Sequence, residues 1–273
     1  MDPLLLRLAT AFYLAATIAV LFGLGTERHL PQRLVWWCLS AGLVVHAGGI
    51  ALRSIGSGHI AVTTLAEALS FLAVLLVGLF LAVQVRRPLL ALAAVVSPLA
   101  FGMSLTASAI EQGVQPLPPM LHSPWLPVHA VFALLGDAVF ALAFSASLLY
   151  LLQEHRLKAR RHVGLLRHLP SLETLDRMNY TCLVWGLILH TLGIVTGIVW
   201  AHTAWGRFWA SSEPQLVFSL VTWGIYVVLL EGRMTAGWRG RWAAQLTIAG
   251  FAVILGSLFS VNLFALGMHG KAF

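Results

Sequence analysis

Long apolar runs alternate with short polar breaks along the whole chain. A bilayer's hydrocarbon core takes about 20 apolar residues per helical crossing. Eight runs meet that length, near 3–25, 34–53, 61–83, 89–107, 127–152, 180–200, 215–231 and 242–265. Pro31 and its charged neighbours close the first run, Arg53 with Gly56-Ser57-Gly58 the second, and Arg86-Arg87-Pro88 makes a short turn. A stretch with five prolines, 116–127, separates the fourth run from the fifth, and residues 153–178 form a basic polar connector. The pattern predicts an all-α polytopic transmembrane helix bundle of about eight spans, forming a single integral membrane domain over 1–273. No segment between the runs is long enough to bury a core of its own, and no repeat of fixed period stands out.

Composition supports a lipid environment. The chain is 59% hydrophobic and 10% charged, with a mean hydropathy of +0.86. A domain facing water on all sides carries about 25% charged residues. In a soluble protein the net charge of +7 would point to nucleic acid. Here the cations lie in the breaks between apolar runs, so they read as orientation signals and no nucleic-acid partner is expected. With both termini outside, thirteen cations fall in inside loops: Arg28, Arg33, Arg86, Arg87, Arg156, Lys158, Arg160, Arg161, Arg167, Arg177, Arg233, Arg239 and Arg241. Arg7, Arg53, Arg207 and Lys271 remain outside. The excess of inside cations places both termini on the outer (periplasmic) side of a bacterial-type cytoplasmic membrane. The first run carries a lone Arg7, with neither a basic leader nor a small-residue cleavage site, and reads as a retained helix. Cys38 and Cys182 lie in apolar runs far apart with no CxxC, which excludes a thioredoxin-like or zinc motif.

The eleven histidines sort by side. His29, His155, His162 and His168 sit among inside cations, as solvated loop residues do. His46 and His190 fall within spans, as does Asp137, and ionisable groups there are costly unless paired or functional. For the histidines a functional role and a hydrogen bond to a neighbouring helix stand equal; Asp137 either pairs with a polar neighbour or lines a cavity. His59, His122, His129, His202 and His269 map to the outer side. Pro127 suits a first helical turn, because its missing N–H needs no partner there, and it brings His129 to the outer boundary of the fifth span. His269 follows the eighth span on the same side. Two such imidazoles could ligate one haem iron from opposite faces, although two interfacial histidines also occur unrelated to each other.

Between the sixth and seventh spans the residues 200–215 read as an outer tryptophan-rich loop carrying Trp200, Trp205, Arg207, Phe208, Trp209 and Glu213. Tryptophan belts are common at membrane interfaces. The local density of rings beside a cation also suits a planar macrocycle with carboxylates, held by stacking and by Arg207. Arg53 and Lys271 are the other outer cations within reach of such carboxylates, or else plain interface anchors. Gly193-Ile-Val-Thr-Gly197 is a GxxxG in the sixth span, expected to serve helix packing.

The run Val199 to Trp209, with Glu213 and the following Ser219 to Tyr226, resembles the tryptophan-rich region of CcsA-type cytochrome c assembly proteins, relatives of the haem-handling CcmC and CcmF. Gly58 to Glu67, His122 to His129, Leu175 to Tyr180 and Val261 to His269 resemble further segments of that family, in the same order. The resemblance implies a haem, of the b type, held at the outer face over the tryptophan-rich loop, with His129 and His269 as axial ligands of its iron. Trp200, Trp205, Trp209, Arg207 and Glu213 would line the haem. It also implies delivery to apocytochrome c alongside a CcsB/ResB-type membrane partner, with this chain acting as an assembly factor or haem chaperone rather than an enzyme by itself. A non-assembly relative of the HemX or YpjD kind, acting as a membrane regulator or scaffold, is the alternative. Two departures bear on this. Ser211 and Ser212 stand where the family has Trp-Asp, and Glu231 stands where it has an inner histidine associated with haem export. Glu231→His is therefore expected to change the amount of haem retained at the inner end if a pocket persists there. Unchanged haem content and visible spectrum would mean that the pocket has closed.

Overall fold

The computed structural model describes residues 3–25, 32–86, 89–110, 122–159, 169–206 and 214–264. They form eight α-helices: α1 (Pro3–Gly25), α2 (Gln32–Ser57), α3 (Leu65–Arg86), α4 (Ala93–Ile110), α5 (Trp125–Lys158), α6 (Leu172–Trp205), α7 (Pro214–Thr235) and α8 (Arg241–Phe264). A 3₁₀ turn, Leu90–Leu92, leads into α4. No strand occurs among the described residues. All eight helices are long and apolar enough to cross a membrane. The expected spans are all present.

Their ends differ from the apolar runs in a consistent way. α5 and α6 have 34 residues each. At about 1.5 Å per residue that is about 50 Å of helix against a hydrocarbon core of about 30 Å. Most of the surplus lies in the stretch expected as a polar connector, where Gln153–Lys158 prolong α5 and Leu172–Asn179 begin α6. Hydropathy marks where lipid ends, whereas helix persists as long as backbone pairing and i,i+4 contacts support it. Lys158 meets Glu154 and Arg177 meets Glu173, each at 2.7 Å, on these overhangs. Ser171 caps α6, its hydroxyl accepting from the Thr174 N–H at 3.2 Å. At the other end, α5 starts at Trp125, two residues before Pro127, which therefore sits within the first turn where its missing N–H costs nothing.

Packing divides the helices into two groups. α1 packs on α2 and α4, and α3 packs on α2 and α4. α5 packs on α6 and α8, α7 packs on α8, and α5 leans on α3 to join the groups. α5 can occupy the middle because its central turns are small: Ala138, Ala141, Ala143, Ser145, Ala146 and Ser147 are all fully buried. In lipid, helices gain nothing by hiding apolar surface from lipid tails, so close backbone approach through small residues supplies the attraction. The first helix is an integral part of the bundle, with Leu6, Tyr13 and Ala16 buried.

The α2–α3 connection is tied by charge. Arg53 Nε donates to Glu67 Oε1 at 2.5 Å, both side chains 5% exposed. Glu67 Oε2 accepts from the N–H and hydroxyl of Thr63 at 2.8 and 2.9 Å and from the Thr64 N–H at 3.3 Å. The Thr64 hydroxyl in turn accepts from the Glu67 N–H at 3.2 Å, which completes a capping box on α3. Arg53, expected as an outer cation able to meet a ligand's carboxylates, is committed instead to this internal pair. Removing one partner of a buried ion pair costs about 3–5 kcal/mol. Arg53→Ala and Glu67→Ala are each expected to lose stability in that range, and the double variant to lose less than their sum. Unfolding in mixed micelles, run as a double-mutant cycle, checks this; additive losses would mean the two side chains do not interact.

Candidate functional site

α5 and α6 run antiparallel and touch along a seam in which a glycine faces a larger residue at every level. A Cβ at Gly186 would meet the Phe140 ring at 2.5 Å, and one at Gly136 would meet the His190 backbone nitrogen at 2.9 Å. One turn further, a Cβ at Gly193 would lie 3.0 Å from the Ala133 Cα, and at Gly197 it would lie 2.8 Å from the His129 ring. On α5 the residues are His129, Ala133, Gly136 and Phe140; on α6 they are Gly197, Gly193, His190 and Gly186. Both sets follow the three- and four-residue steps of one helix face.

His129 closes the top of this seam. Its Nδ1 lies 2.8 Å from the Gly193 carbonyl oxygen. Its ring lies alongside Trp200, with centroids 5.8 Å apart and planes 17° apart. Trp200 is buried, whereas the ring of His129 is half-buried at the end of the seam. The run expected as a loop from residue 200 is helical as far as Trp205, and ends there because Gly206 takes the left-handed conformation, φ 67°, with its N–H returning to the His202 carbonyl. The GxxxG expected to serve packing alone therefore also forms the seat of His129. The i, i+4, i+7 spacing of Gly193, Gly197 and Trp200 is the sequence signal that could have revealed it.

Mid-membrane, His190 links three helices. Its Nδ1 lies 3.4 Å from Asp137 Oδ1 on α5, and its Nε2–H donates to the Ser219 carbonyl of α7 at 3.2 Å. Phe140 stacks on Tyr226 at 3.8 Å, and the Tyr226 hydroxyl donates to the Thr247 carbonyl of α8 at 3.2 Å. His46 is bracketed by the Tyr13 and Ser70 hydroxyls, at 3.3 and 2.7 Å. Both intramembrane histidines thus bond to neighbouring helices. Cys38 is half-buried and Cys182 buried, and both are free thiols.

A third polar cluster closes the opposite end of α6. Arg233 grips Asp176 with both terminal nitrogens, at 3.2 and 2.7 Å, and Asp176 Oδ1 also accepts from the Gly240 N–H at 3.0 Å. Asn179 donates to Ser147 and Thr247 at 2.6 and 2.9 Å. Ser147, Tyr150, Asp176, Asn179 and Gly240 border a shallow crevice. Glu231, two residues before Arg233, is exposed.

Of the expected ligand-binding set, the structure brings together His129 and Trp200. Trp205 ends α6, with its side chain outside the described residues, as are Arg207, Trp209, Glu213, His269 and Lys271.

Comparison with known proteins fits this arrangement. A family model described as "Cytochrome C assembly protein" matches residues 62–269. The chain belongs to the cytochrome c assembly protein family. Among relatives named cytochrome c biogenesis protein CcsA, one from Synechococcus sp. (strain CC9311) is 30% identical over 301 residues, covering 98% of each chain. Another, from Guillardia theta, is 31% identical over 239 residues, covering 81% of this chain and 79% of the relative. A solved structure of the "Cytochrome c Heme Lyase CcmF" superposes on the whole chain with a TM-score of 0.70 at 17% identity. This chain corresponds to 49% of that protein, and the likeness is one of fold. The family match takes in the α5–α6 seam, the polar clusters of α6 and α7, and both candidate ligands, and it makes this a multi-pass membrane protein of cytochrome c biogenesis.

Within this family member, the Arg233 cluster and the His129 end are separated by most of the length of α6. Arg233→Lys keeps the charge and loses the two-pronged grip on Asp176. It is expected to cost about 1.5–3 kcal/mol, read from detergent unfolding, while the environment of His129 stays unchanged by NMR. A shifted His129 signal would show that the two ends are coupled.

Proposed function

We propose that this protein handles haem as cargo for cytochrome c assembly, holding it at the His129 end of the bundle between His129 and His269. Trp205, Trp209, Arg207 and Glu213 would flank the macrocycle and its carboxylates. This end faces outward from a bacterial-type cytoplasmic membrane in the orientation that the cation bias favours. Haem b, with no covalent attachment to this chain, is the form that two histidine ligands and a cation–aromatic lining suit. From there the chain would present haem to apocytochrome c beside a CcsB/ResB-type partner, as an assembly factor rather than a catalyst of thioether formation.

The observation that carries this reading is the seating of His129. An imidazole braced by a backbone carbonyl and an indole, at the membrane end of a rigid two-helix seam, has the hydrogen-bonded support that orients a metal ligand. The donor set fits: imidazole is a strong axial ligand for haem iron. Membership of the cytochrome c assembly family supplies the context. The exposed Glu231 and the closed Arg233–Asp176 cluster favour haem held at one face over haem exported through the chain.

Protein purified in lipid nanodiscs and supplied with haem is expected to give a low-spin bis-histidine spectrum. His129→Ala and His269→Ala should each abolish it. A protein that stays colourless would sink the proposal. Haem binding with normal cytochrome c maturation in a deletion strain would favour the regulator or scaffold role of a HemX- or YpjD-like relative.

A further inference from the structure

One stripe of α6 meets His129 through Gly193, Gly197 and Trp200. The Gly193 carbonyl is 2.8 Å from Nδ1. A carbonyl can only accept, so Nδ1 carries the proton, and in the neutral ring the lone pair is on Nε2. Gly197 gives the ring its room, since a Cβ there would lie 2.8 Å from both Nδ1 and Cε1. Trp200 stacks on the ring, with centroids 5.8 Å apart and planes 17° apart.

We propose that Gly193, Gly197 and Trp200 are positioning residues that clamp His129 in one tautomer and one plane, making Nε2 the atom that meets a metal. The proposal rests on the haem reading and assigns that site's geometry. It also gives Trp200 a different task from the one its membership of a tryptophan-rich run implies. An imidazole bound to iron keeps the Fe–N bond within its own plane, and a macrocycle lies across that bond. A ring whose plane runs nearly parallel to the imidazole's would therefore meet the macrocycle steeply. Trp200 braces the ligand and does not act as a shelf under the haem.

The test begins without haem. Protein labelled with ¹⁵N-histidine, in nanodiscs, gives the tautomer of His129 from its ring nitrogen shifts, with His129→Ala identifying the signal. A protonated Nδ1 and an unprotonated Nε2 are expected. Gly197→Ala should abolish this signature, while Gly224→Ala, where a Cβ meets nothing within 4 Å, should keep it. In the haem arm, Gly197→Ala is expected to lower haem affinity roughly 10- to 100-fold, as loss of a ligand's outer support does. Free imidazole should restore the low-spin spectrum of the haem the variant retains, and an unchanged helical circular-dichroism spectrum shows that the variant is folded. Should Gly197→Ala fail to fold, Trp200→Ala serves in its place: it should broaden the ligand-plane signature in the electron paramagnetic resonance spectrum, while Trp200→Phe largely preserves it. An unprotonated Nδ1 in the wild type, or a Gly197→Ala protein with wild-type tautomer and spectrum, overturns the clamp. A wild type that takes up no haem overturns the haem reading, while the nitrogen shifts still decide the clamp.

Discussion

The close approach of α5 and α6 is the constraint on which the rest of the structure depends. At each of four levels one helix offers a glycine and the other a larger group: Phe140 on Gly186, the His190 backbone on Gly136, Ala133 on Gly193, and His129 on Gly197. In lipid there is no hydrophobic reward for bringing helices together, so association rests on dispersion and on polar contacts that become possible only at short range. Glycine permits that range, and four glycines in step fix the register. His129 is consequently placed by a rigid interface rather than by a loop. The Gly193 carbonyl can reach it because no side chain intervenes.

Polar groups do their work where packing is thin. α5 has 61% of its most apolar window buried, whereas α7 has 22%. What ties α7 to α6 is a ladder of hydrogen bonds at three heights. The Ser219 carbonyl accepts from His190, Trp223 Nε1 donates to the Thr191 hydroxyl at 3.0 Å, and Arg233 binds Asp176. His190 and Arg233, buried groups that would be costly alone, each find a partner on another helix. Because each match is directional, the ladder sets the rotation of α7 as well as its distance.

Much of this was legible in the sequence. Eight apolar runs became eight helices because burial in lipid leaves the backbone few alternatives to helix. Less legible were features decided by neighbours far along the chain. The helical overhangs of α5 and α6 are charged, so hydropathy was blind to them. Trp200 looked like the start of a loop because tryptophan and histidine cluster there, yet nothing in Ala201 to Ala204 stops a helix before Gly206. Arg53 read as an outer cation; its partner Glu67 is fourteen residues away across a turn. Asp137 and His190 each stood out as buried ionisable residues, but only the seam register showed that they face one another. For the outer site, the chemistry of His129 was legible from its place at a span boundary. The surface that holds its ring was not, since a glycine pair reads as packing until something is seen lying on it.

The seam also bears on how this segment can change over evolutionary time. A helix turns about 100° per residue. Inserting or deleting one residue between Gly186 and Gly197 would swing every position beyond it a quarter-turn or more off the α5 face, and with it the carbonyl under His129. The lipid-facing letters of the same stretch, such as Ile188, Leu192 and Val195, can drift among apolar types at little cost. The stretch should therefore be permissive in composition and rigid in length, so that lineages diverge here by substitution and leave insertions to the loops.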